Sequence, residues 1–328
     1  MNHEGRILMK ISLLEPIGIT NELLEELSEP LKAQGHEFVY YNTKTTDTEE
    51  LYERAKDSEI VMIGNNPLPD SVISRLDKLK MLDIAFTGID HIGQKSCLKK
   101  RVTVCNAAGY SDETVSELAV GMALSMLRKL NECDKVTHLG GTNASLRGSE
   151  LGTKTVGIIG TGRIGTKAAK LFMAFGCKVI AYSRTERDKL LRMGVKYTSL
   201  EELLEQSDVV SLNVPLTDKT RGLIGKKELE RMKKTAILIN CARGPVVDNA
   251  ELAEALNNEV IAGAAIDVFD MEPPLALDYP LMNAKNTLLS PHVAFLSDES
   301  MVRRAHIVFE NINAYLEGNP KNVIKIMK

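Results

Sequence analysis

An α/β chain with two mainly parallel sheets is expected from three features of the sequence. Short apolar segments alternate with longer stretches at helical spacing along almost all of the 328 residues. The alternation restarts after a glycine-rich, polar interval, and the second series opens on a Gly-x-Gly-x-x-Gly turn that directly follows a strand-like run. With 44% apolar residues, each half can bury a core of its own.

The first series supplies strands at "ILMKISLL" (7–14), "EFVYY" (37–41), "EIVMIG" (59–64), "KMLDIAF" (80–86) and "VTVC" (102–105). A long helix is expected from Ser111, a plausible N-cap followed by Asp112 and Glu113, whose charge suits a helix N-terminus. Val115, Leu118, Met122 and Met126 carry it to about Leu130, and methionines at this spacing read as packed core. Residues 139–154, "LGGTNASLRGSELGTK", read as a connector or arm.

The second series runs through "TVGIIG", "CKVIAY", a capping-box segment "SLEE" at 199–202, "DVVSLNVP", "TAILIN", "IAGAAIDVF" and "TLLSPH". A last helix is expected from Ser297 to about Leu316, with Met301, Ala305, Val308, Ile312 and Tyr315 on one face.

Composition narrows the partners. Lys plus Arg is 41 and Asp plus Glu is 44, so a net charge of -3 offers no general attraction to nucleic acid or anionic membrane. Small molecules are the expected partners. The five cysteines form no Cys-x-x-Cys or Cys/His cluster, so no metal site is expected and the thiols read as reduced, which points to the cytoplasm. No apolar run approaches the roughly 20 residues of a membrane span. "MNHEGRILMK" lacks the features of a signal peptide, and residues 1–6 read as a loose extension.

"TVGIIGTGRIG" places Gly160, Gly162 and Gly165 between a strand and a helix whose Ile164, Ala168, Leu171 and Phe175 recur at helical spacing before Gly176 ends it. The first glycine suits the tight turn, the second lets backbone approach a pyrophosphate, and the third lets helix pack on strand. The helix N-terminus adds free amides and a positive dipole. This context makes the segment a dinucleotide site. Ser183, in "AYSRT", ends the next strand, where an Asp or Glu would bind the ribose hydroxyls of NAD. Serine removes the repulsion that a carboxylate would exert on a 2′-phosphate, and Arg184 offers it charge-assisted bonds, with Arg187 near enough to assist. NADP(H) is therefore expected in preference to NAD(H).

Reducing a 2-oxo acid requires a cation for the carboxylate, a proton donor for the carbonyl oxygen and a group that orients the donor. Three residues in successive strand-end segments meet these demands: Arg243 in "NCARGPVVD", Glu272 in "DVFDMEPP" and His292 in "SPHVAF". Each type alone is commonplace in loops; their succession is not.

With these segments in view, the chain resembles the D-isomer-specific 2-hydroxyacid dehydrogenases. The likeness covers "TGIDHIG" (87–93), "NAAGYSDETVSEL" (106–118), "TVGIIGTGRIG" (155–165), "NVPLTDKTRGLI" (213–224), "NCARGPVVD" (240–248), "AAIDVFDMEPP" (264–274) and "SPHVAF" (290–295). "GYS" and "HVAF" look most like the D-lactate dehydrogenase branch, and glyoxylate/hydroxypyruvate reductases belong to the same family.

The resemblance implies that Arg243 binds the substrate carboxylate, that His292 is the acid in reduction and the base in oxidation, and that Glu272 orients the imidazole. It also implies cofactor contacts from Arg163 and Ile164 at the pyrophosphate, from Val214, Pro215 and Thr220 along the adenosine, and from Cys241, Ala242 and Asp267 at the nicotinamide end. Asn213 is a neighbouring candidate. Asn65, Thr87 and Gly88 would meet the substrate carboxylate through their backbone, with Tyr110 and Phe295 as further substrate contacts.

It implies two Rossmann-like, doubly wound domains as well, the substrate domain discontinuous: residues 1–107 and 296–328 around a dinucleotide-binding domain at 108–295. The helices near 111–130 and 297–316 would be hinges, and an arm near 130–154 would serve a homodimer. The chain has no tryptophan, so its arm lacks the Trp common in relatives. Two other readings stay open: a nucleotide-sensing, corepressor-like regulator, against which the predicted structure filling the chain to about residue 318 counts, and a phosphite dehydrogenase-like enzyme. Which 2-oxo acid is used is not legible, since one methylene in a pocket is worth only about 1–3 kcal/mol.

Overall fold

The computed structural model describes residues 8–326; the extension expected over 1–6 lies outside them. The chain divides into two compact units, one formed by the residues up to Ser111 with those from Leu296, the other by Asp112–Phe295.

The first unit runs β1 (Lys10–Leu13), α1 (Asn21–Ala33), β2 (Glu37–Tyr40), α2 (Thr48–Ala55), β3 (Ile60–Ile63), α3 (Asp70–Ile73), β4 (Met81–Ile84), α4 (Gln94–Lys100) and β5 (Thr103–Asn106). All five strands pair in parallel, in the order β2-β1-β3-β4-β5. Every residue of β3 and β4 is buried, as expected of central parallel strands covered on both faces. Thr20 and Asp47 cap α1 and α2 by accepting bonds from the amides of Leu23 and Glu50, which answers two otherwise orphaned donors.

The expected division at residue 107 differs from the observed one at 111. Ala108–Ser111 lie with the first unit because Tyr110 is buried beside Phe86 and its carbonyl accepts a bond from Arg303 Nε at 3.1 Å.

The final helix of the chain, α12, spans Asp298–Leu316 and belongs to this unit. Met301, Ala305, Val308 and Ile312 are buried as the spacing predicts. A polar network adds to the apolar face. Asp83, in the middle of β4, accepts from Asn311 Nδ2 at 2.9 Å, and Asn311 Oδ1 accepts from Asn322 Nδ2 at 2.8 Å. Beyond the helix, Val323 bridges Cys105 antiparallel, and Ile324 N donates to Val104 O at 2.8 Å. Sequence-distant segments are thus joined by bonds that only a particular register satisfies.

The second unit runs α5 (Asp112–Arg128), α6 (Leu130–His138), β6 (Thr155–Ile159), α7 (Arg163–Ala174), β7 (Lys178–Tyr182), α8 (Asp188–Arg192), β8 (Lys196–Tyr197), α9 (Leu200–Gln206), β9 (Val209–Leu212), α10 (Lys226–Arg231), β10 (Ile237–Asn240), α11 (Asn249–Asn257), β11 (Gly263–Ile266) and β12 (Thr287–Leu289). Its seven strands are parallel, in the order β12-β11-β10-β9-β6-β7-β8. Residues of β6 alternate between two cores. Val156 and Ile158 pack with Ala123, Ala168 and Phe172 on one face, while Ile159 packs with Leu203, Leu212 and Leu252 on the other.

Three details depart from the sequence expectation. The helix expected to reach Leu130 ends at Arg128, where Lys129 turns left-handed (φ 54°) and α6 begins. Ser199 caps α9, but Glu202 bonds the Thr198 hydroxyl, so the capping box is only half formed. The two-residue strand β8 was not anticipated; it adds an edge beside β7. No helix among the described residues is long and apolar enough to cross a membrane.

Burial without a counter-charge pushes the Asp83 carboxyl up from 3.8 to about 8. The folded chain therefore keeps a proton that the unfolded chain releases. This contribution to stability is complete below pH 3.8, falls through the window up to about pH 8, and is lost above it. In Asp83→Asn the amide still accepts from Asn311 but does not titrate. The wild type should lose stability relative to that variant between pH 5 and 8, by up to about 1.4 kcal/mol per pH unit. Denaturant unfolding of both proteins at several pH values checks this; parallel pH profiles would contradict it.

Candidate active site

In the sheet of the second unit, β6 lies between β7 and β9, and the strand order runs outward in both directions from there. A crevice beyond the carboxyl ends of strands at such a switch point is where α/β sheets bind ligands. The glycine turn sits at that place. Gly160 is left-handed (φ +92°), and a Cβ there would stand 2.5 Å from Asn213 O. A Cβ on Gly165 would stand 1.9 Å from Gly160 O, so the third glycine lets α7 close on the turn.

Gly162 is different: it is the N-cap of α7, and nothing lies within 4 Å of its Cβ direction. No protein neighbour requires a glycine there. An open backbone facing free helix amides suits an approaching diphosphate, and these residues fit a dinucleotide.

Around this turn, exposed Arg163 donates from Nε to Asp112 Oδ2 at 2.7 Å, while Ile164 is half-buried. Asn213, after β9, turns its amide back onto Ser211 O and Oγ, both at 3.1 Å, beside half-buried Val214. The Thr220 hydroxyl donates to Pro215 O at 2.6 Å and accepts from Thr217 N at 2.8 Å, closing the segment that follows. Ser183, at the end of β7, accepts from Thr161 N at 3.4 Å, and Arg184 beside it is exposed.

Arg243, Glu272 and His292 follow β10, β11 and β12, three neighbouring strands. His292 Nδ1 meets both carboxylate oxygens of Glu272, at 3.0 and 2.9 Å. Its ring stands edge-on to Phe295, with centroids 5.2 Å apart. His292 is left-handed (φ 55°), an unusual conformation for a residue with a Cβ. Its amide donates to Asp267 O at 2.8 Å. The Asp267 carboxylate, fully buried, accepts from Val293 N at 2.9 Å, from Ala294 N at 2.8 Å and from the Ser290 hydroxyl. Asp267, expected at the nicotinamide, thus also builds the loop that carries His292.

Sequence reasoning missed Asn240 and Gly244. Asn240, buried at the end of β10, accepts from Ala242 N at 3.0 Å and donates to Arg243 O at 3.0 Å, so its side chain shapes the loop between them. Cys241, in that loop, packs on Met122. Arg243 itself donates from a terminal nitrogen to Ala242 O at 2.7 Å. A Cβ on Gly244 would stand 1.8 Å from Phe269 C and O, so the glycine lets the Arg243 loop lie directly on the backbone leading to Glu272. An Asn closing an apolar strand and a Gly after the Arg were the available signals.

In the first unit, Glu15 is buried after β1 and its Oε1 accepts from Gly64 N at 2.8 Å and Asn66 N at 3.0 Å. Lys44 Nζ donates to Asn65 Oδ1 at 3.1 Å. Asn106 Nδ2 donates to Thr87 O at 2.6 Å, fixing the backbone that continues to Gly88. Tyr110 is buried, with the Arg304 guanidinium 5.6 Å from its ring centre.

Gly244→Ala should force the Arg243 loop off the 269–270 backbone, at a cost of about 1–3 kcal/mol of stability. Thermal melting against the wild type measures it, and an unchanged Tm would show that the two loops part freely.

The family model for the NAD binding domain of D-isomer specific 2-hydroxyacid dehydrogenases matches residues 120–294. The hydroxypyruvate reductase of Blautia hydrogenotrophica is 33% identical over 301 residues, covering 90% of this chain and 93% of that protein. Among solved structures, an acyclic imino acid reductase in complex with NADPH and D-Arg superposes with a TM-score of 0.88 at 28% identity, covering 97% of this chain and 100% of that one. D-Lactate dehydrogenase from Aquifex aeolicus, complexed with NAD and lactic acid, gives a TM-score of 0.84 at 30% identity with the same coverage. The match over the nucleotide-binding unit, together with relatives aligned along nearly the whole length, makes this chain a member of the D-isomer specific 2-hydroxyacid dehydrogenase family.

Proposed function

We propose that the protein is a 2-oxo acid reductase, forming the D-2-hydroxy acid with a nicotinamide cofactor and favouring NADPH over NADH. The observation that carries the reading is the His292–Glu272 pair, held at 2.9–3.0 Å between the loops after β12 and β11, the latter strand neighbouring the one that leads to Arg243. Relatives named hydroxypyruvate and glyoxylate reductases support the reaction class.

When bound, the cofactor supplies the hydride. The residues of the chain prepare the carbonyl for it. Arg243 binds the carboxylate of the 2-oxo acid and draws charge toward the carbonyl oxygen. Glu272 accepts the Nδ1 proton of His292, which fixes the ring and assigns Nε2 to deliver the proton. In the reverse direction the same nitrogen takes the proton back. On the first unit, the backbone at Asn65, Thr87 and Gly88 is assigned to the substrate carboxylate, with Tyr110 there and Phe295 on the second unit as further contacts. Cys241, Ala242 and Asp267 are assigned to the nicotinamide end, and Val214, Pro215 and Thr220 to the adenosine.

The preference for NADPH is argued from Ser183 and exposed Arg184, which offer no carboxylate and one cation where the ribose is read. A homodimer built on the 130–154 arm belongs to the same reading. It is supported by α6, which buries none of its residues, and by Leu139 at 87% exposure. A cytoplasmic location accords with five free cysteines.

His292→Ala should lower kcat by about 10²–10⁴-fold, and Arg243→Ala should raise KM strongly as well. Following NADPH and NADH oxidation against a panel of 2-oxo acids of increasing size tests both variants and defines the substrate. A His292→Ala enzyme with wild-type kcat at neutral pH would remove the assignment.

Arg184→Ala should reduce the ratio of kcat/KM for NADPH over NADH. A wild-type ratio at or below one would remove the cofactor preference.

A further inference from the structure

The segment from Ser183 to Arg187, between β7 and α8, is exposed apart from Ser183. An exposed connection would ordinarily be mobile. This one is tied along its length to a single residue of the glycine turn, Thr161, which is fully buried. Thr161 N donates to Ser183 Oγ at 3.4 Å, Thr161 Oγ1 donates to Thr185 O at 3.3 Å, and Arg187 Nε donates to Thr161 O at 3.1 Å.

Tyr197 closes the network from β8. Its hydroxyl accepts from Arg187 N at 3.0 Å and donates to Thr161 Oγ1 at 3.0 Å. The bonds therefore form one directed chain, from the Arg187 amide through Tyr197 and Thr161 to the Thr185 carbonyl, in which each member strengthens the next.

This arrangement settles where the Arg187 guanidinium stands. Its Nε rests on the carbonyl of the glycine turn, and its two terminal amino groups make no hydrogen bond or ion pair among the described residues. Glu186 and Asp188 flank it in sequence, and neither pairs with it. A planar guanidinium fixed at one nitrogen, with two amino groups left over, matches the fork that a phosphate accepts. The segment after the second strand of such a sheet is where the adenosine ribose is read.

We infer that Thr161 and Tyr197 are positioning residues that hold Arg187 to receive the 2′-phosphate of NADP(H). The inference rests on the proposed cofactor preference and adds the device that enforces it. Holding the arginine in advance avoids the ordering cost of a long side chain at the moment of binding.

The test compares wild type, Tyr197→Phe, Arg187→Met and the double variant, by kcat/KM for NADPH and NADH and by inhibition with adenosine 2′,5′-bisphosphate and with AMP. Tyr197→Phe should lower the NADPH:NADH ratio roughly three- to tenfold, the value of one hydrogen bond, and weaken adenosine 2′,5′-bisphosphate more than AMP. Arg187→Met should lower the ratio at least as far. The double variant should fall no further than Arg187→Met alone, because the two residues act as a unit.

Equal losses for NADPH and NADH in Tyr197→Phe would make the network merely structural and overturn the inference. A wild-type ratio well above one that neither variant moves would overturn the inference and spare the cofactor preference. A wild-type ratio at or below one would remove both.

Discussion

The buried carboxylate of Asp267 is the constraint on which the chemical end of the molecule depends. His292 must adopt a left-handed backbone to present its ring to Glu272, at a cost of about 1–3 kcal/mol. Three donors converge on Asp267 from Ser290, Val293 and Ala294, and its carbonyl holds the His292 amide. Bonds to a charged group are worth about 1.5–3 kcal/mol each, so together they exceed the strain they hold in place. The same residue reaches the neighbouring loop, since its amide donates to Asn240 O at 3.0 Å and the Asn240 side chain shapes the Arg243 turn. The roots of the loops that carry Arg243, Glu272 and His292 are therefore one hydrogen-bonded body.

Close backbone approach is the second theme. Gly165 against Gly160 and Gly244 against Phe269 each occupy a place where a Cβ would meet backbone atoms at under 2 Å. The first lets α7 aim its amides into the nucleotide crevice, and the second lets the Arg243 loop lie on the loop leading to Glu272. Both matter because catalysis tolerates little displacement: about 1 Å of misplacement can cost on the order of a hundredfold in rate. Gly162 contrasts with them, since nothing lies within 4 Å of its Cβ direction.

Much of this was legible in the sequence because the signals are local. Each strand-like run in either series became a parallel strand, and Arg243, Glu272 and His292 took their places after three adjacent strands. Periodicity and strand-end position are sufficient for that. What stayed hidden depends on partners far away in the chain. The roles of Asn240, Asp83 and Thr161 come from Arg243, Asn311 and Tyr197. The Glu202 side chain took the Thr198 hydroxyl in place of the backbone amide, a competition between near-equal donors that a pattern of four residues cannot rank.

The two units use the same device to different effect. In each, a buried carboxylate just beyond a strand accepts backbone amides from the loop after a neighbouring strand: Asp267 from Val293 and Ala294, and Glu15 from Gly64 and Asn66. Such loops leave amides that the sheet ladder no longer satisfies, and a carboxylate can satisfy several at once. The pair differ in how fully they are engaged. Both oxygens of Asp267 accept hydrogen bonds, whereas Glu15 commits only Oε1, its Oε2 standing 3.6 Å from the partly exposed Lys44 ammonium. The loop at 290–294 is consequently held through Ser290, His292, Val293 and Ala294, which fixes the imidazole it carries. The loop at 64–66 is held from within by Glu15 Oε1 and from the solvent side by Lys44 Nζ on Asn65 Oδ1 and by Asn66 Nδ2 on Thr45 O at 2.7 Å.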